Sequence, residues 1–150
     1  MMAFGEQKVI SDLLPDDFLP FFNNWDTVGA EANATVESIA KIGTDEGVDT
    51  MKIIAHAPWP ISNRIMFSTR YLELNQDGGH MMLFCGKGNE RYTDDTSIYT
   101  ETERKKLVLA MVHCSGWWVK PVKNDAGEVV GTHMLYFSQI DAGGNIPTFV

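Results

Sequence analysis

Runs in which polar and apolar residues alternate dominate this chain and predict an antiparallel β-sheet. Such runs lie at 36–42, 50–57, 64–74, 81–85, 106–114, 117–122 and 129–140, with a shorter one at 4–10. Period-two alternation is typical of strands that bury one face. Polar or glycine-rich segments at 43–47, 75–79 and 124–127 predict hairpin turns between strands. The pattern therefore predicts six or seven antiparallel strands.

One early segment, 12–25, has the spacing of a helix instead. Its aromatic residues recur every three or four positions, at Phe18, Phe21, Phe22 and Trp25. That spacing places them on one helix face, where core packing is their ordinary role. We therefore predict a single early helix that presents an aromatic face to the sheet.

Glycine and proline interrupt the strand pattern at specific points. Pro58 and Pro60 lack the backbone donor of a strand ladder and predict a corner. Gly116 predicts a bulge, and the polar segment 86–103 predicts an irregular loop. The fold class is therefore α+β, with a strongly curved antiparallel sheet and one helix. The apolar concave face of such a sheet must be buried by a helix, a ligand or another chain.

Composition limits the classes of partner. The chain has 150 residues, which suits one domain over 1–150, and a formal net charge of −8. An acidic chain is repelled by phosphate backbones, so we expect no nucleic acid partner. Two cysteines cannot form a disulfide framework, and no run is long enough to span a membrane. We therefore expect a cytoplasmic protein.

No cluster of residues indicates catalysis or a bound metal. His113 and Cys114 are adjacent, so on a strand they point to opposite faces and cannot readily share one ion. The same geometry argues against a cysteine–histidine nucleophile. We therefore expect no metal, no cofactor and no enzymatic activity. An enzyme acting in a cavity of the fold is the weakest of the hypotheses considered.

Four motifs, in order along the chain, resemble the START domain, the lipid-transfer domain related to the steroidogenic acute regulatory protein. They are the pair Trp25-Asp26 and the segments 58–64 (Pro-Trp-Pro-Ile-Ser-Asn-Arg), 115–121 (Ser-Gly-Trp-Trp-Val-Lys-Pro) and 139–147 (Gln-Ile-Asp-Ala-Gly-Gly-Asn-Ile-Pro). In the family, a Trp-Asp pair closes an early helix and a proline-aromatic-proline corner leads into a strand. Each motif alone is weak, but four in the same order are a more specific signal.

The resemblance implies a helix-grip fold, in which the curved sheet wraps a long C-terminal helix. It also implies a hydrophobic tunnel for one lipid of the phospholipid, sterol or ceramide class, transferred through transient membrane contact. The sequence departs from the family pattern at Phe22, Ile54, Ile65 and Leu109. Phe22 stands where some phosphatidylcholine carriers have a phosphate-binding arginine. These departures favour a head group less polar than phosphatidylcholine.

The C-terminal motif is followed by a closing helix in the family, whereas this sequence ends at Val150. We therefore expect a domain truncated at both ends, with the C-terminal lid helix absent. Two alternatives follow for the concave face. Either it binds a lipid, or the chain is an interaction module whose concave face is covered by a partner chain or a second copy in a homo-oligomer.

The resemblance also assigns candidate lipid-binding residues. Arg70 lies on the same strand face as Arg64 by period two, and in the family an arginine here points into the tunnel. The alternative is that Arg70 is an exposed strand residue. Arg64 is expected to hold the corner through backbone carbonyls, and Asp26 to bind a ligand or form a local hydrogen bond. The complete set is Arg70, Asp26, Arg64, Trp25, Trp59, Met66, Met111, His113, Trp118 and Tyr136.

Overall fold

The computed structural model describes residues 2–144 and 146. Its strands are β1 (Met2–Ile10), β2 (Val36–Asp45), β3 (Val48–Ala55), β4 (Arg64–Gln76), β5 (Gly79–Cys85), β6 (Val108–Leu109), β7 (Met111–Lys123) and β8 (Val129–Asp141). Its helices are a 3-10 turn (Pro15–Phe18), α1 (Leu19–Asn23), α2 (Trp25–Ala32), α3 (Arg91–Asp94) and α4 (Glu101–Lys106). The eight strands form one sheet in the order β1-β8-β7-β5-β4-β3-β2, and β6 pairs with β4 beside this path.

The predicted α+β class and curved antiparallel sheet are confirmed. The alternating runs became strands with hairpins at β2–β3, β4–β5 and β7–β8. The number of strands was underestimated, because β6 is a two-residue strand that pairs with β4 in parallel. Two residues are too few to show any periodicity in the sequence.

The predicted helix over 12–25 is wrong in its boundaries. The chain forms the 3-10 turn, then α1, and Trp25-Asp26 begins α2 instead of closing a helix. The break lies at Asn24, whose φ of −111° and ψ of 25° are not helical. Its side-chain amide donates to the Pro20 carbonyl, which also accepts from the main-chain amide of Asn24. An asparagine side chain competes in this way with the regular helix ladder.

Two details of the second half also differ from the prediction. Residues 86–103 are not wholly irregular, because they contain α3 and the start of α4. The expected strand over 106–114 begins only at Val108, because α4 extends to Lys106, and Ala110 divides it into β6 and β7. The side chain of Thr100 accepts from the Glu103 amide and the Glu103 carboxylate accepts from the Thr100 amide, a capping box that starts this helix.

The bulge predicted at Gly116 is also misplaced. The register shift on β7 lies between Val112 and Cys114, and Gly116 pairs regularly with Leu83. A Cβ atom at Gly116 would overlap the Met82 carbonyl oxygen, so the glycine permits close approach of two strands.

The hydrophobic core lies mainly on the sheet face that α1 and α2 cover, here called the concave face. Phe22 and Trp25 from these helices pack in one cluster with buried residues of four strands, β3, β4, β5 and β7. The buried strand and loop residues of this cluster are Met51, Ile53, Met66, Met82, Phe84, Ala110, Val112 and Val119. On the opposite, outer face, Tyr99 covers Ile65 and Phe67 of β4. Both faces of the first half of β4 are therefore buried.

Candidate ligand-binding site

An apolar cavity of about 630 Å³ opens at one end of the concave face. Its walls come from the end of β3, the corner after it, the start of β4, and the end of β8 with the residues that follow. The lining residues are Ala55, His56, Ala57, Pro58, Ile61, Arg64, Met66, Ala110, Ser138, Ile140, Ala142 and Ile146. Its volume lies within the range of about 300–1,000 Å³ that small-molecule sites usually have. A mostly apolar lining favours an apolar ligand.

Arg64, at the start of β4, forms hydrogen bonds with the residues that directly follow β8 beside this cavity. Its Nε donates to the Ala142 carbonyl at 2.9 Å and its Nη2 to the Gly143 carbonyl at 3.3 Å. Its Nη1 donates to the Ser62 carbonyl. The residue is buried, and hydrogen bonds to three carbonyls satisfy part of a guanidinium that would otherwise be costly to bury.

Arg70 lies further along β4 and does not line this cavity. Its Nη2 is 2.7 Å from the Asp49 carboxylate, and its Nη1 donates to the Phe22 carbonyl at 3.2 Å. Arg70 is buried, so the alternative of an exposed strand residue does not hold. Arg70 therefore forms a largely buried ion pair with Asp49.

The electrostatics of Asp49 follow from its neighbours. Partial burial alone would raise the pKa of the Asp49 carboxyl. Hydrogen bonds from Thr44 and Arg70, with the nearby charge of Lys41, outweigh that effect and hold the pKa below its usual value. The carboxylate therefore stays ionised and remains a partner for the arginine.

An aromatic cluster continues the concave face beyond the cavity. The rings of Trp25 and Trp117 are 4.9 Å apart between centroids, and Trp117 is also 4.9 Å from Tyr136. These three residues line a second cavity of about 400 Å³ with Phe21 and Met134. Trp25 is buried, and its indole Nε1 has no hydrogen-bond partner within the described part of the chain.

The remaining candidate residues are dispersed. Met66 lines the first cavity, whereas Trp59 is 92% exposed in the corner beside it. Met111 lines a separate cavity of about 250 Å³ with Phe67 of the outer face. Trp118 and His113 line neither of the two concave-face cavities.

Trp118 and His113 are both exposed on β7. The Nζ of Lys120 lies 3.3 Å from the centroid of the Trp118 ring. Asp26 is half-buried in the first turn of α2 and lines neither of the two concave-face cavities. The structure therefore brings together Arg64 and Met66 at one cavity, and Trp25 and Tyr136 at the other.

Sequence reasoning identified only Arg64 and Met66 among the cavity-wall residues, and the ones it missed include Ser138 and Ile140. Both lie on β8 in the same period-two row as Met134 and Tyr136. The alternation was visible in the sequence. Which of the two rows faces inward depends on the packing of the helices, which the sequence pattern alone does not decide.

No group of three or more histidine, cysteine or acidic side chains is placed to hold a metal ion among the residues with described positions. None of the helices over residues 2–144 is long and apolar enough to cross a membrane.

Comparison with solved structures identifies the fold. The chain superimposes on human STARD10 with a TM-score of 0.72 and 15% identity, over 97% of this chain and 53% of that one. It superimposes on human StAR-related lipid transfer protein 5 with a TM-score of 0.71 and 13% identity, over 98% and 64%. The chain has a START-like fold. The resemblance drawn from the four motifs is therefore confirmed.

A bacterial relative of this fold is similar as well. The STAR-related lipid transfer protein from Xanthomonas axonopodis matches with a TM-score of 0.66 and 17% identity, over 97% of this chain and 72% of that one. No family model and no curated protein sequence matches the chain. The chain spans about half the length of the human STARD10 structure and slightly less than two thirds of the length of human StAR-related lipid transfer protein 5.

The expectation of a missing lid helix concerns the segment after Gly144. Asn145 and residues 147–150 lie outside the described part of the chain. The absence of a lid therefore stays a prediction, as does the truncation at both ends.

Proposed function

We propose that this START-like domain binds a lipid in the 630 Å³ cavity of its concave face. The observation that carries the proposal is the cavity itself, since its walls are mostly alanine, isoleucine, methionine and proline side chains. Burial of apolar ligand surface stabilises a complex by about 25 cal/mol per Å² before ordering costs. The solved structures with the same fold include lipid transfer proteins by their titles, which supports the same ligand class here.

Delivery of the lipid would occur by transient membrane contact at the corner that carries Trp59. Pro58 and Ile61 of the same corner line the cavity, so its mouth and the exposed tryptophan are adjacent. Tryptophan favours the boundary between water and lipid, because its ring is apolar and its N–H polar. A cytoplasmic location, where lipid would pass between membranes, completes the proposal.

The role proposed is binding and transfer without catalysis. The alternative of an interaction module has less support, because three solved structures of this fold name lipid transfer in their titles. Under this alternative, a second copy of the chain would cover the concave face.

A cavity-blocking variant tests the proposal. Ala57→Phe would place a ring into the mouth of the cavity, whereas Ala126→Phe adds the same ring to an exposed turn. Lipids extracted from each purified protein are identified by mass spectrometry, and uptake of a labelled lipid is measured. Uptake should be lost in Ala57→Phe and kept in Ala126→Phe. Equal uptake by both variants, or no lipid in the unaltered protein, would overturn the proposal.

A further inference from the structure

Among the described residues that line the 630 Å³ cavity, three have polar side chains: His56, Arg64 and Ser138. These three groups must decide which polar end a lipid can carry into the site. Each is in a different electrostatic situation, and together they favour one class of lipid. This inference rests on the proposed function, because it names the ligand of the same cavity.

Arg64 is the permanently charged residue among the described lining residues. All three nitrogens of its guanidinium already donate to main-chain carbonyl oxygens, those of Ala142, Ser62 and Gly143. An anionic head group could engage Arg64 fully only by displacing bonds that join β4 to the end of β8. The cavity therefore offers a phosphate or carboxylate only the two N–H donors of Arg64 that these bonds leave free.

His56 lies at the mouth, where its side chain is 54% exposed. Its Nδ1 is 3.8 Å from a carboxylate oxygen of Glu37 and 3.4 Å from the amide nitrogen of Asn63. A carboxylate beside the imidazole repels an incoming anion, and the formal net charge of −8 adds to that repulsion. The entrance is therefore unsuited to anionic lipids.

Ser138 is the remaining polar group, and it sits on β8 next to Ile140 in the wall. Its hydroxyl makes no hydrogen bond with any residue over 2–144, although the side chain is half-buried. A serine hydroxyl can both donate and accept one hydrogen bond. Its natural partner in an apolar cavity is a neutral hydroxyl or carbonyl, which does not carry the cost of burying a charge.

We propose that the cavity selects an uncharged lipid whose polar end is a hydroxyl or carbonyl group, and that Ser138 is the residue that hydrogen-bonds this end. Phosphate- and carboxylate-bearing lipids are disfavoured at the same site. Ser138 is thus a specificity-determining residue, and the apolar wall supplies most of the affinity.

A series of probes with one hydrocarbon chain and different ends tests the charge preference. Oleyl alcohol, oleate and oleoyl lysophosphatidate displace a fluorescent apolar probe from the unaltered protein at about pH 8, where a carboxyl group in water is ionised. Oleyl alcohol should bind at least about tenfold more tightly than either anion. If none of the three binds, the proposed function fails. If oleate or the lysophosphatidate binds as tightly as oleyl alcohol, the proposed function stands and this inference is overturned.

A pair of serine variants tests the residue. Ser138→Ala removes the cavity hydroxyl, and Ser115→Ala removes the hydroxyl directly opposite on β7, which does not line the cavity. Ser138→Ala should weaken oleyl alcohol binding about three- to tenfold and leave binding of 1-octadecene, which has no polar end, unchanged. Ser138→Thr keeps the hydroxyl and should restore most of the affinity. Equal effects of Ser138→Ala and Ser115→Ala on oleyl alcohol binding would exclude the role of Ser138. Unchanged unfolding midpoints of the variants would exclude misfolding as the cause of any loss of binding.

Discussion

The guanidinium of Arg70 and the carboxylate of Asp49 meet at 2.7 Å, and the two residues stand directly opposite each other in the β3–β4 register. The arginine side chain is 7% exposed and the aspartate side chain 17%. Removal of one partner of a largely buried pair leaves an unpaired charge in the interior, which costs more than the pair itself contributes. The arrangement makes Arg70 a determinant of stability.

Asp49→Ala should therefore lower the free energy of unfolding by about 3 kcal/mol, since Arg70 would keep only the Phe22 carbonyl as a partner. Urea unfolding at neutral pH measures the change. Asp45→Ala, an exposed aspartate at the end of β2, is the matched control and should change it by less than about 0.5 kcal/mol. The double variant Asp49→Leu/Arg70→Met should recover much of the loss. A cost for Asp49→Ala no larger than the control would show that the pair is not stabilising.

Acid should weaken the fold through Asp49 and through a second ion pair, that of Glu103 with Lys52 at 2.8 Å. Burial would raise the pKa of Glu103, but hydrogen bonds from Lys52 and Thr100 outweigh it, so the pKa lies below its usual 4.5. For both acids the folded pKa is lower than the unfolded one. The stability that the two ionised carboxylates add to the fold is therefore fully present above the unfolded pKa values, 3.8 for Asp49 and 4.5 for Glu103. It is lost as the pH falls through the lower pKa values of the folded state.

The measurement is the free energy of unfolding between about pH 7 and pH 3. The variant Asp49→Asn/Glu103→Gln should be less stable at neutral pH and should lose less stability than the unaltered chain below about pH 4.5. Glu101→Gln, an exposed position on the same helix as Glu103, should leave the profile unchanged. Parallel profiles for the double variant and the unaltered chain would contradict the prediction.

Trp59 should govern membrane contact without contributing to folding, because 92% of its surface is exposed. Trp59→Ala should weaken binding to phosphatidylcholine vesicles by at least about fivefold and change the free energy of unfolding by less than about 0.5 kcal/mol. Trp118→Ala is a suitable control, since Trp118 is also an exposed tryptophan but lies outside the corner. Co-sedimentation with vesicles checks both variants. Equal losses for both would indicate nonspecific adsorption, and no loss for Trp59→Ala would remove this corner from the transfer mechanism.

Much of the sheet could be predicted from the sequence because strand periodicity is local. The alternation over 64–74 anticipated most of β4, and the turn at 75–79 its hairpin with β5. The break between α1 and α2 was not predictable from aromatic spacing, because it lies in the non-helical backbone conformation of the single residue Asn24. Local chemistry of this kind overrides a periodic pattern.

The site was less predictable than the fold, because its composition depends on register. Arg70 was predicted to be a lipid-binding residue, but it lies outside the cavity, and its pairing with Asp49 follows only from how β3 aligns with β4. The inward row of β8 that contains Ser138 likewise depends on which face the early helices cover. A strand pattern gives two faces and leaves open which one is the interior.

Gly29 tests how tightly α2 packs on the sheet. A Cβ atom there would stand 2.7 Å from Cδ1 of Ile39 and 2.7 Å from Cδ2 of Trp25. Alanine favours a helix over glycine by about 1 kcal/mol, whereas overpacking costs about 1–3 kcal/mol. The Ile39 methyl group can move, but the Trp25 ring is held by Trp117 at 4.9 Å, so overpacking should exceed the helical gain.

Gly29→Ala should therefore lower the free energy of unfolding by about 1–2 kcal/mol, measured by urea unfolding. Glu31→Ala, an exposed substitution on the same helix, should change it by less than about 0.5 kcal/mol. Because Trp25 lines the 400 Å³ cavity, Gly29→Ala should also change the tryptophan fluorescence of the folded protein, and Glu31→Ala should not. A stabilised Gly29→Ala protein would mean that helix propensity exceeds the steric cost and that α2 can shift away from β2 at little expense.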